Sequence, residues 1–319
     1  TALAGAIGVL WLLAPRGVPA RILGLAWLAP LFVVVPPPPA PATFRVTVLD
    51  VGQGLALLVQ THAHAMLYDT GPRFNDSADA GNRIIAPMLR ATGIRALDAL
   101  VVSHQDSDHS GGALSLLQTV PVGWLDSSLP EQNAIVGAQR ARGASARRCV
   151  AGTRWSWDGV EFATLYPFDS TYLEPRIKTN DLSCVIRVSG AGGSVLLTGD
   201  IEARAESALL ARDAAALRSD LLIVPHHGSR TSSTPAFIAA VRPAVAVYTP
   251  GYRNRFGHPR PEIVARYAAA GIRTYRTDYD GALSFTFGGH GALAPSLERE
   301  RDQRYWRDPP LHAALPALE

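Results

Sequence analysis

The chain has 319 residues, of which 47% are hydrophobic and 18% charged, and its formal net charge is +3. This length exceeds what one hydrophobic core usually holds, so we expect one large domain and a smaller addition. The charge is too small to indicate nucleic-acid binding by itself. Two cysteines do not make a disulfide framework, and Cys149 and Cys184 are interpreted either as one bridge formed in an oxidising compartment or as two buried thiols.

Residues 1–35 are much more apolar than the rest of the chain, with two apolar runs around a loop that carries Arg16 and Arg21. Neither run reaches the roughly 20 residues of a membrane span. Because the chain starts at Thr1 rather than methionine, we expect the first run to be the end of a longer helix. Segment 1–35 is therefore predicted to be the end of a membrane domain rather than a signal peptide, whose charges would precede the apolar run. The proline-rich residues 36–43 are predicted to be an extended linker.

Residues 44–290 have the pattern of an α/β domain, and residues 291–319 that of a polar C-terminal tail. Short strands joined by tight turns come first, which favours antiparallel pairing at the start. Helical and strand patterns then alternate. Strands are predicted within 44–54, 55–60, 64–71, 97–103, 160–167, 182–189, 194–200, 220–226, 244–250 and 282–288, and helices within 80–93, 202–212, 234–242 and 260–271.

Polar side chains follow the apolar strand 97–103 directly, in the order His104, Asp106, Asp108 and His109. Alternate side chains of an extended segment lie on one side, so we expect the first three to converge and His109 to turn in beside them. Imidazole and carboxylate groups are ligands of zinc and manganese. Four such residues in six positions predict a metal site rather than a solvated loop.

Further candidates lie after later strands. Asp200 is predicted to bridge two metals or to be the N-cap of the next helix. His226 and His227 are candidates for a ligand or a general acid, His258 is a further ligand candidate, and Asn180 is a weaker one. Hydroxyl donors suited to phosphate oxygens follow the histidine pair, although the same run would serve as an ordinary helix-capping loop: Ser229, Thr231, Ser232 and Ser233.

The sequence contains neither a nucleophile elbow nor a phosphate-cradling glycine loop between a strand and a helix. Gly52 and Gly54 join two predicted strands, which disfavours dinucleotide binding. The predicted chemistry is metal-assisted hydrolysis, in which a bound water loses its proton near neutral pH and attacks an electrophile.

These residues resemble the metallo-β-lactamase superfamily, whose hallmark is His-x-His-x-Asp-His after a strand. The resemblance implies an αββα sandwich with two divalent metal ions, Mn²⁺ or Zn²⁺, at one edge of the sheets. It makes Asp69 the early structural aspartate and Asp200 the bridging one. The positions that match the superfamily's ligands are His104, Asp108, His109, Asp200 and His258.

Two positions depart from the general superfamily pattern. Asp106 replaces the second histidine, and Asn180 lies roughly where an intermediate histidine is expected. Together with the motifs VGQG, LLTGD and HHGS, the departures resemble the C-terminal domain of the ComEC family of DNA-uptake channels, over about residues 44–287. An oxygen-rich donor set shifts preference from zinc towards manganese and towards phosphate substrates.

The resemblance implies a nuclease that degrades the DNA strand that is not imported, acting on single- or double-stranded DNA. Asp108 is then a catalytic residue, and either His226 or His227 protonates the leaving oxygen. The domain would lie on the periplasmic or extracellular face of a bacterial inner membrane, with the channel domain of the same chain and other DNA-uptake machinery as partners. Two alternatives stay open: a phosphodiesterase acting on small or cell-wall phosphoesters, and a non-catalytic domain that binds DNA or gates the channel.

Overall fold

The computed structural model describes residues 2–288 and 293–301, and the chain forms two compact units. The smaller unit covers residues up to Pro37 and Met88–Ile94. Its first helices, α1 (Ala2–Leu12) and α2 (Gly24–Val33), approach so closely that a Cβ atom on Gly24 would collide with backbone of the other helix. Within 2–288 and 293–301, every helix is too short or too polar to span a bilayer.

The larger unit contains two β-sheets. The eight-stranded sheet has the order β15-β14-β1-β2-β3-β4-β5-β6, and the seven-stranded sheet the order β13-β12-β11-β10-β9-β8-β7. The strands of the first sheet are β1 (Phe44–Val48), β2 (Leu57–Gln60), β3 (Ala65–Tyr68), β4 (Leu97–Val102), β5 (Val122–Ser127), β6 (Ser145–Arg148), β14 (Leu283–Phe287) and β15 (Ser296–Leu297). Those of the second are β7 (Arg154–Trp157), β8 (Val160–Tyr166), β9 (Val185–Gly190), β10 (Gly193–Leu197), β11 (Leu221–Ile223), β12 (Val245–Tyr248) and β13 (Arg273–Arg276).

The two sheets bury their apolar faces against each other. Phe44, Phe162 and Phe285 are fully buried in this shared core, and β1 alternates between buried and half-buried residues, as expected for a strand with one core-facing side. A second apolar cluster packs the far face of the seven-stranded sheet against helices that follow it.

The remaining helices are α3 (Ala86–Ala91), α4 (Ser107–Ser110), α5 (Ala113–Thr119), α6 (Ala134–Ala141), α7 (Ala203–Asp213), α8 (Pro235–Val241), α9 (Pro261–Ala269), α10 (Thr277–Asp280) and α11 (Glu298–Arg301).

Strand direction determines where the polar loops lie. Strands β1, β2 and β3 pair antiparallel, as predicted, whereas β3 to β6 run parallel. Strands β10 to β13 also run parallel to one another. Carboxyl ends of parallel strands share one edge of a sheet, so the loops after β3 and β4 lie at one edge of the first sheet and those after β10, β11 and β12 at one edge of the second.

Several elements differ from those predicted. Residues 80–93 do not form one uniform helix, because a π-helical turn at Gly81–Ile85 precedes α3. Strand β15 pairs with β14, so the sheet extends past residue 290 into the segment predicted to be a tail. Helix α11 also lies in this segment, whereas residues 291–292 and 302–319 of the predicted tail lie outside the described residues.

The two cysteines form a disulfide between Cys149, just after β6, and Cys184, just before β9, with a Cα–Cα distance of 6.0 Å. Both residues are fully buried. The bond therefore links the two sheets. The sequence left open a bridge or two buried thiols, and the structure contains the bridge.

Candidate metal centre

The first polar motif changes conformation halfway along. Residues 107–110 form the one-turn helix α4, in which the carbonyl of Asp106 accepts hydrogen bonds from His109 N at 3.0 Å and Ser110 N at 2.9 Å. The expectation of an extended segment with alternating side chains is therefore wrong beyond Asp106. Asp108 and His109 instead project from the helical turn, which separates them from the half-exposed Asp106.

Four residues from three loops bring their ligand atoms together. One ligand atom from each of Asp108, His109, Asp200 and His227 lies within 4.8 Å of all the others. The Nε2 atom of His109 lies 3.0 Å from Asp200 Oδ1 and 3.2 Å from His227 Nε2, and His227 Nε2 lies 3.5 Å from Asp108 Oδ2. Two imidazoles and two carboxylates are a suitable donor set for a divalent transition metal.

Charge within this cluster is balanced between acids and imidazoles. Burial disfavours ionisation of Asp108, but the His227 and His109 imidazoles outweigh it and lower the pKa of Asp108 to about 2. Burial also opposes ionisation of Asp200, whose pKa the same histidines hold well below its usual range. Conversely, burial disfavours protonation of His109, but the carboxylates of Asp200 and Asp69 raise its pKa well above the ordinary value. The carboxylates are thus ionised and the histidine protons balance their charge, so a divalent cation that binds here would displace those protons.

Asp69 lies behind His109, on the side of the ring that faces away from the other three cluster residues. It follows β3 with a left-handed φ of 59° and is fully buried. Its carboxylate lies 2.7 Å from His109 Nδ1 and accepts hydrogen bonds from Ser103 N and Ser103 Oγ, both at 2.7 Å. A carboxylate behind an imidazole fixes the ring orientation and leaves its Nε2 for the metal.

His104 and Asp106 lie beside the four-residue cluster rather than in it. The Nε2 atom of His104 is buried, has no hydrogen-bond partner in the described chain, and lies 3.7 Å from Asp106 Oδ2. Asp106 accepts a hydrogen bond from Thr179 Oγ1 at 3.0 Å. A buried imidazole nitrogen without a partner is costly, which makes His104 and Asp106 the groups available to a second cation. Asn180 lies between this pair and the exposed histidine, because its Oδ1 accepts a hydrogen bond from Thr179 Oγ1 at 3.3 Å and its Nδ2 lies 3.3 Å from His226 Nε2.

The structure distinguishes the two adjacent histidines. His227 is buried in the cluster, with Nδ1 2.8 Å from Thr249 Oγ1. His226 is partly exposed, with Nδ1 3.1 Å from Thr231 Oγ1 and Nε2 3.7 Å from Asp200 Oδ2. Both residues have left-handed backbone angles, with φ of 52° and 53°. Such angles cost on the order of 1 kcal/mol or more at each non-glycine residue and concentrate at functional sites.

His258 closes the edge of the site. Its ring centroid lies 5.8 Å from that of His226 and 6.5 Å from that of His227. Burial and the neighbouring histidines lower its pKa to about 4, which keeps the imidazole neutral. Its Nδ1 is buried without a hydrogen-bond partner among the described residues. His258 is thus adjacent to the cluster and has a nitrogen free to bind a ligand.

The predicted substrate hydroxyls are not brought to the cluster as a group. Ser232 and Ser233 are buried and bond within the protein, Ser232 Oγ donating to Pro225 O at 2.9 Å and Ser233 Oγ lying 3.1 Å from Tyr267 OH. Ser229 Oγ lies 3.1 Å from the hydroxyl of Thr231. The sequence also allowed this loop to cap the next helix. The structure assigns that role to Thr234, one residue after Ser233, because the side chain of Thr234 caps α8.

The alternative role of Asp200 as a helix N-cap is not observed, because Glu202 is at that position of α7. The sequence did not indicate four supporting residues: Ser103 beside Asp69, Thr179 beside Asp106, Thr249 behind His227, and Ser183, whose Oγ accepts from Asp200 N at 3.0 Å and lies 3.3 Å from His104 Nδ1. Thr249 could have been found from the sequence, because it follows an apolar strand directly, as the predicted ligands do.

Comparison with known proteins places this geometry in a family. The model of the metallo-beta-lactamase superfamily matches residues 49–127. Competence protein ComA of Neisseria gonorrhoeae is 39% identical over 302 residues, which cover 94% of this chain and 40% of that protein. The chain fits a metallo-β-lactamase-like domain of the ComEC family. The predicted resemblance and the αββα sandwich are thereby confirmed.

Other relatives of this ComEC-family domain show the same partial coverage. ComE operon protein 3 of Bacillus subtilis is 29% identical over 262 residues, covering 76% of this chain and 33% of that protein. YcaI of Escherichia coli K12, an uncharacterised protein, is 33% identical over 84% of this chain and 33% of its own length. The chain thus spans 40% or less of each of these relatives. Among solved structures, YhfI of Bacillus subtilis aligns with a TM-score of 0.49 at 10% identity, over 76% of this chain and 99% of YhfI.

Proposed function

We propose that this domain is a metal-dependent nuclease of a bacterial DNA-uptake system, which cleaves phosphodiester bonds in the DNA strand that is not imported. The observation that carries the proposal is the cluster of Asp108, His109, Asp200 and His227, whose ligand atoms lie within 4.8 Å of one another. The similarity to a protein named for competence, ComA, supports the biological setting.

The donor set fits divalent metal ions, Mn²⁺ or Zn²⁺. His109, His227, Asp108 and Asp200 would hold one ion, and His104 Nε2 with Asp106 would offer ligands to a second. His258 Nδ1 is a further free ligand atom, beside the histidine pair. A bound divalent ion supplies Lewis-acid activation of water and neutralises charge on the scissile phosphate. Asp106 adds oxygen to this set, which favours manganese and a phosphate substrate.

His226 and His227 would have different roles in metal binding and proton transfer. His227 is committed to the cluster by burial and by Thr249 behind it. His226 keeps part of its side chain exposed, 20%, and lies beside Asp200. His226 is therefore the better placed of the two to give a proton to the leaving oxygen, and Asp108, the most exposed member of the cluster, to face the substrate.

We also propose that the domain acts outside the cytoplasm, on the periplasmic or extracellular face of the inner membrane. The disulfide between Cys149 and Cys184 supports an oxidising compartment. The apolar start of the chain would then be the end of a channel domain in the same protein, and DNA and other uptake machinery would be its partners. The partial coverage of longer relatives fits this arrangement.

The test is metal binding and DNA cleavage by the purified full chain. We expect manganese or zinc to bind and DNA to be cut, and Asp108→Ala to abolish cleavage without loss of the folded circular dichroism spectrum. Asp76→Ala, which removes a fully exposed carboxylate, should cut like the wild type. If the chain binds no metal and wild type and Asp108→Ala behave alike, the enzyme proposal is wrong and a non-catalytic DNA-binding or gating domain is the better account. Cleavage of small or cell-wall phosphoesters with none of DNA would favour the phosphodiesterase instead.

A further inference from the structure

The loop between β12 and α9 exposes two aromatic rings beside the candidate metal centre. Tyr252 is 59% and Phe256 43% exposed. Arg253 and Arg255 lie between them in the sequence and are exposed, with guanidinium carbons 5.2 Å and 5.0 Å from the centroids of the adjacent Tyr252 and Phe256 rings. Neither arginine forms an ion pair with a carboxylate in the part of the chain that the structure describes. We call residues 252–256 the aromatic–arginine loop.

Internal hydrogen bonds hold this loop in one shape. Asn254 Nδ2 donates to the carbonyls of Gly251 and His258 at 3.0 Å and 2.7 Å, and Asn254 Oδ1 accepts from His258 N at 2.9 Å. Gly251 N donates to Gln53 Oε1 at 3.1 Å, which ties the loop to the VGQG turn. The central asparagine thus faces inward, while the four flanking aromatic and arginine residues face solvent. A preorganised surface loses little entropy when it binds a ligand.

The loop is continuous with the metal centre through stacked rings. The Phe256 ring lies 5.8 Å from that of His258 at an interplanar angle of 24°. His258 in turn lies 5.8 Å from His226 and 6.5 Å from His227. A planar group stacked on Phe256 would therefore place the rest of the same ligand at the entrance to the four-residue cluster.

We propose that the aromatic–arginine loop binds single-stranded nucleic acid, and that it makes the site select single strands over duplex. This inference rests on the proposed nuclease function and names the form of its substrate. Bases in a single strand are free to stack on exposed rings, whereas those in a duplex are covered by their neighbours. The two arginines have positive charge available for the phosphates between stacked bases. Small phosphodiesters have no second base to reach the loop.

A second exposed phenylalanine gives a matched comparison. Phe74, in the loop after β3, is 48% exposed, close to the 43% of Phe256. Its surroundings differ in charge, because Asp76 and Asp79 lie close in sequence and Arg73 is paired with Asp76 at 3.1 Å. An acidic loop repels a polyanion, and we expect Phe74 to contribute nothing to strand binding.

The experiment measures binding of the full chain, in EDTA, to a fluorescein-labelled oligothymidylate of about 20 nucleotides and to a duplex of equal length, by fluorescence anisotropy. We expect the single strand to bind more tightly than the duplex. Tyr252→Ala with Phe256→Ala should weaken single-strand binding roughly 10- to 100-fold. Arg253→Gln with Arg255→Gln should reduce the slope of log affinity against log salt by about 1.4, because each lost phosphate contact on a single strand removes about 0.7. Phe74→Ala should bind like the wild type.

A parallel assay separates this inference from the proposed function. Hydrolysis of bis(p-nitrophenyl) phosphate with manganese by the wild type tests the metal centre with a substrate that has no strand to span the loop, and an unchanged circular dichroism spectrum reports that the two loop variants fold. If the wild type hydrolyses this compound but the variants bind single strands as well as the wild type does, or duplex binds equally tightly, the loop inference is overturned and the function stands. If the loop variants lose strand binding but the wild type hydrolyses no phosphodiester, the nuclease proposal fails and the strand-binding loop stands.

Discussion

The Nε2 atoms of His109 and His227 lie 3.2 Å apart, although the residues are 118 positions apart in the chain. Each imidazole is held from behind through Nδ1, His109 by Asp69 at 2.7 Å and His227 by Thr249 at 2.8 Å. Two rings whose Nδ1 atoms are engaged and whose Nε2 atoms face each other present both Nε2 atoms to one common ligand. The groups behind the rings are therefore part of the site.

Thr249→Val should test this support. Valine keeps the size of the side chain but removes the hydroxyl that orients His227, so we expect manganese or zinc affinity to fall about 10- to 100-fold. Isothermal titration calorimetry of the folded variant measures the change. Thr249→Ser restores the hydroxyl and should restore affinity. Wild-type metal affinity in a folded Thr249→Val protein would show that the threonine does not position the ring.

Substitution of Gly54 in the VGQG turn should also weaken metal binding, whereas substitution of Gly52 in the same turn should not. Gly54 has φ of 138°, and a Cβ atom there would collide with the backbone carbonyl of Asp108. Gly54→Ala should lower the unfolding free energy by about 1–3 kcal/mol and also weaken metal binding, because it displaces Asp108. Gly52 is the control: its φ is 77°, but nothing lies within 4 Å of the added carbon. Gly52→Ala should cost stability alone, and an equal loss of metal affinity in both variants would contradict the collision.

Much of the site could be predicted because strand ends carry the ligands. Apolar strands give a strong period-two or continuous signal, and polar residues directly after them, such as Asp69, His104, Asp200 and His227, are then expected at one edge of a sheet. The structure brings these four residues to that edge through two separate parallel blocks, β3 to β6 and β10 to β13.

Local conformation and side-chain direction could not be predicted in the same way. Helix α4 has only four residues, too few for a periodic signal, so Asp108 was expected on an extended segment. His226 and His227 follow the same strand, and the backbone is left-handed at both residues, so the alternation of the strand does not indicate which of the two rings is buried. Ser233 turns inward because Tyr267, from a distant helix, lies 3.1 Å from its hydroxyl, a contact that no local pattern contains.

The disulfide makes a prediction about both stability and compartment. The cysteines are 35 residues apart, and a bond that closes such a loop stabilises the folded state by about 4 kcal/mol in the chain-entropy account. Cys149→Ser with Cys184→Ser should lower the unfolding free energy by that order, measured by urea denaturation. Protein purified from an oxidising compartment without reductant should show no reactive thiol when unfolded. Two reactive thiols under those conditions would contradict both the bridge and its support for an extracytoplasmic location.

Asp126 should make the domain less stable as pH rises through the weakly acidic range. Its side chain on β5 is only 2% exposed, and Arg147 lies 3.4 Å away. Burial outweighs the attraction to Arg147 and raises the pKa of Asp126 to about 6, from an ordinary value of 3.8. The folded state therefore holds this proton more tightly than the unfolded chain does. The stability contribution of Asp126 is largest below about pH 4, falls between about pH 4 and 6, and is constant above.

Asp126→Asn removes the charge and keeps the shape, so it should raise the unfolding free energy by about 2–3 kcal/mol at about pH 7.5 and have little effect near pH 4. Urea denaturation at the two pH values measures the difference between variant and wild type, which cancels titration at the metal centre. Asp76→Asn changes a carboxylate whose side chain is fully exposed, and its effect should be small and equal at both pH values. A destabilised Asp126→Asn protein at the higher pH would mean that the ion pair with Arg147 outweighs the cost of burying the charge.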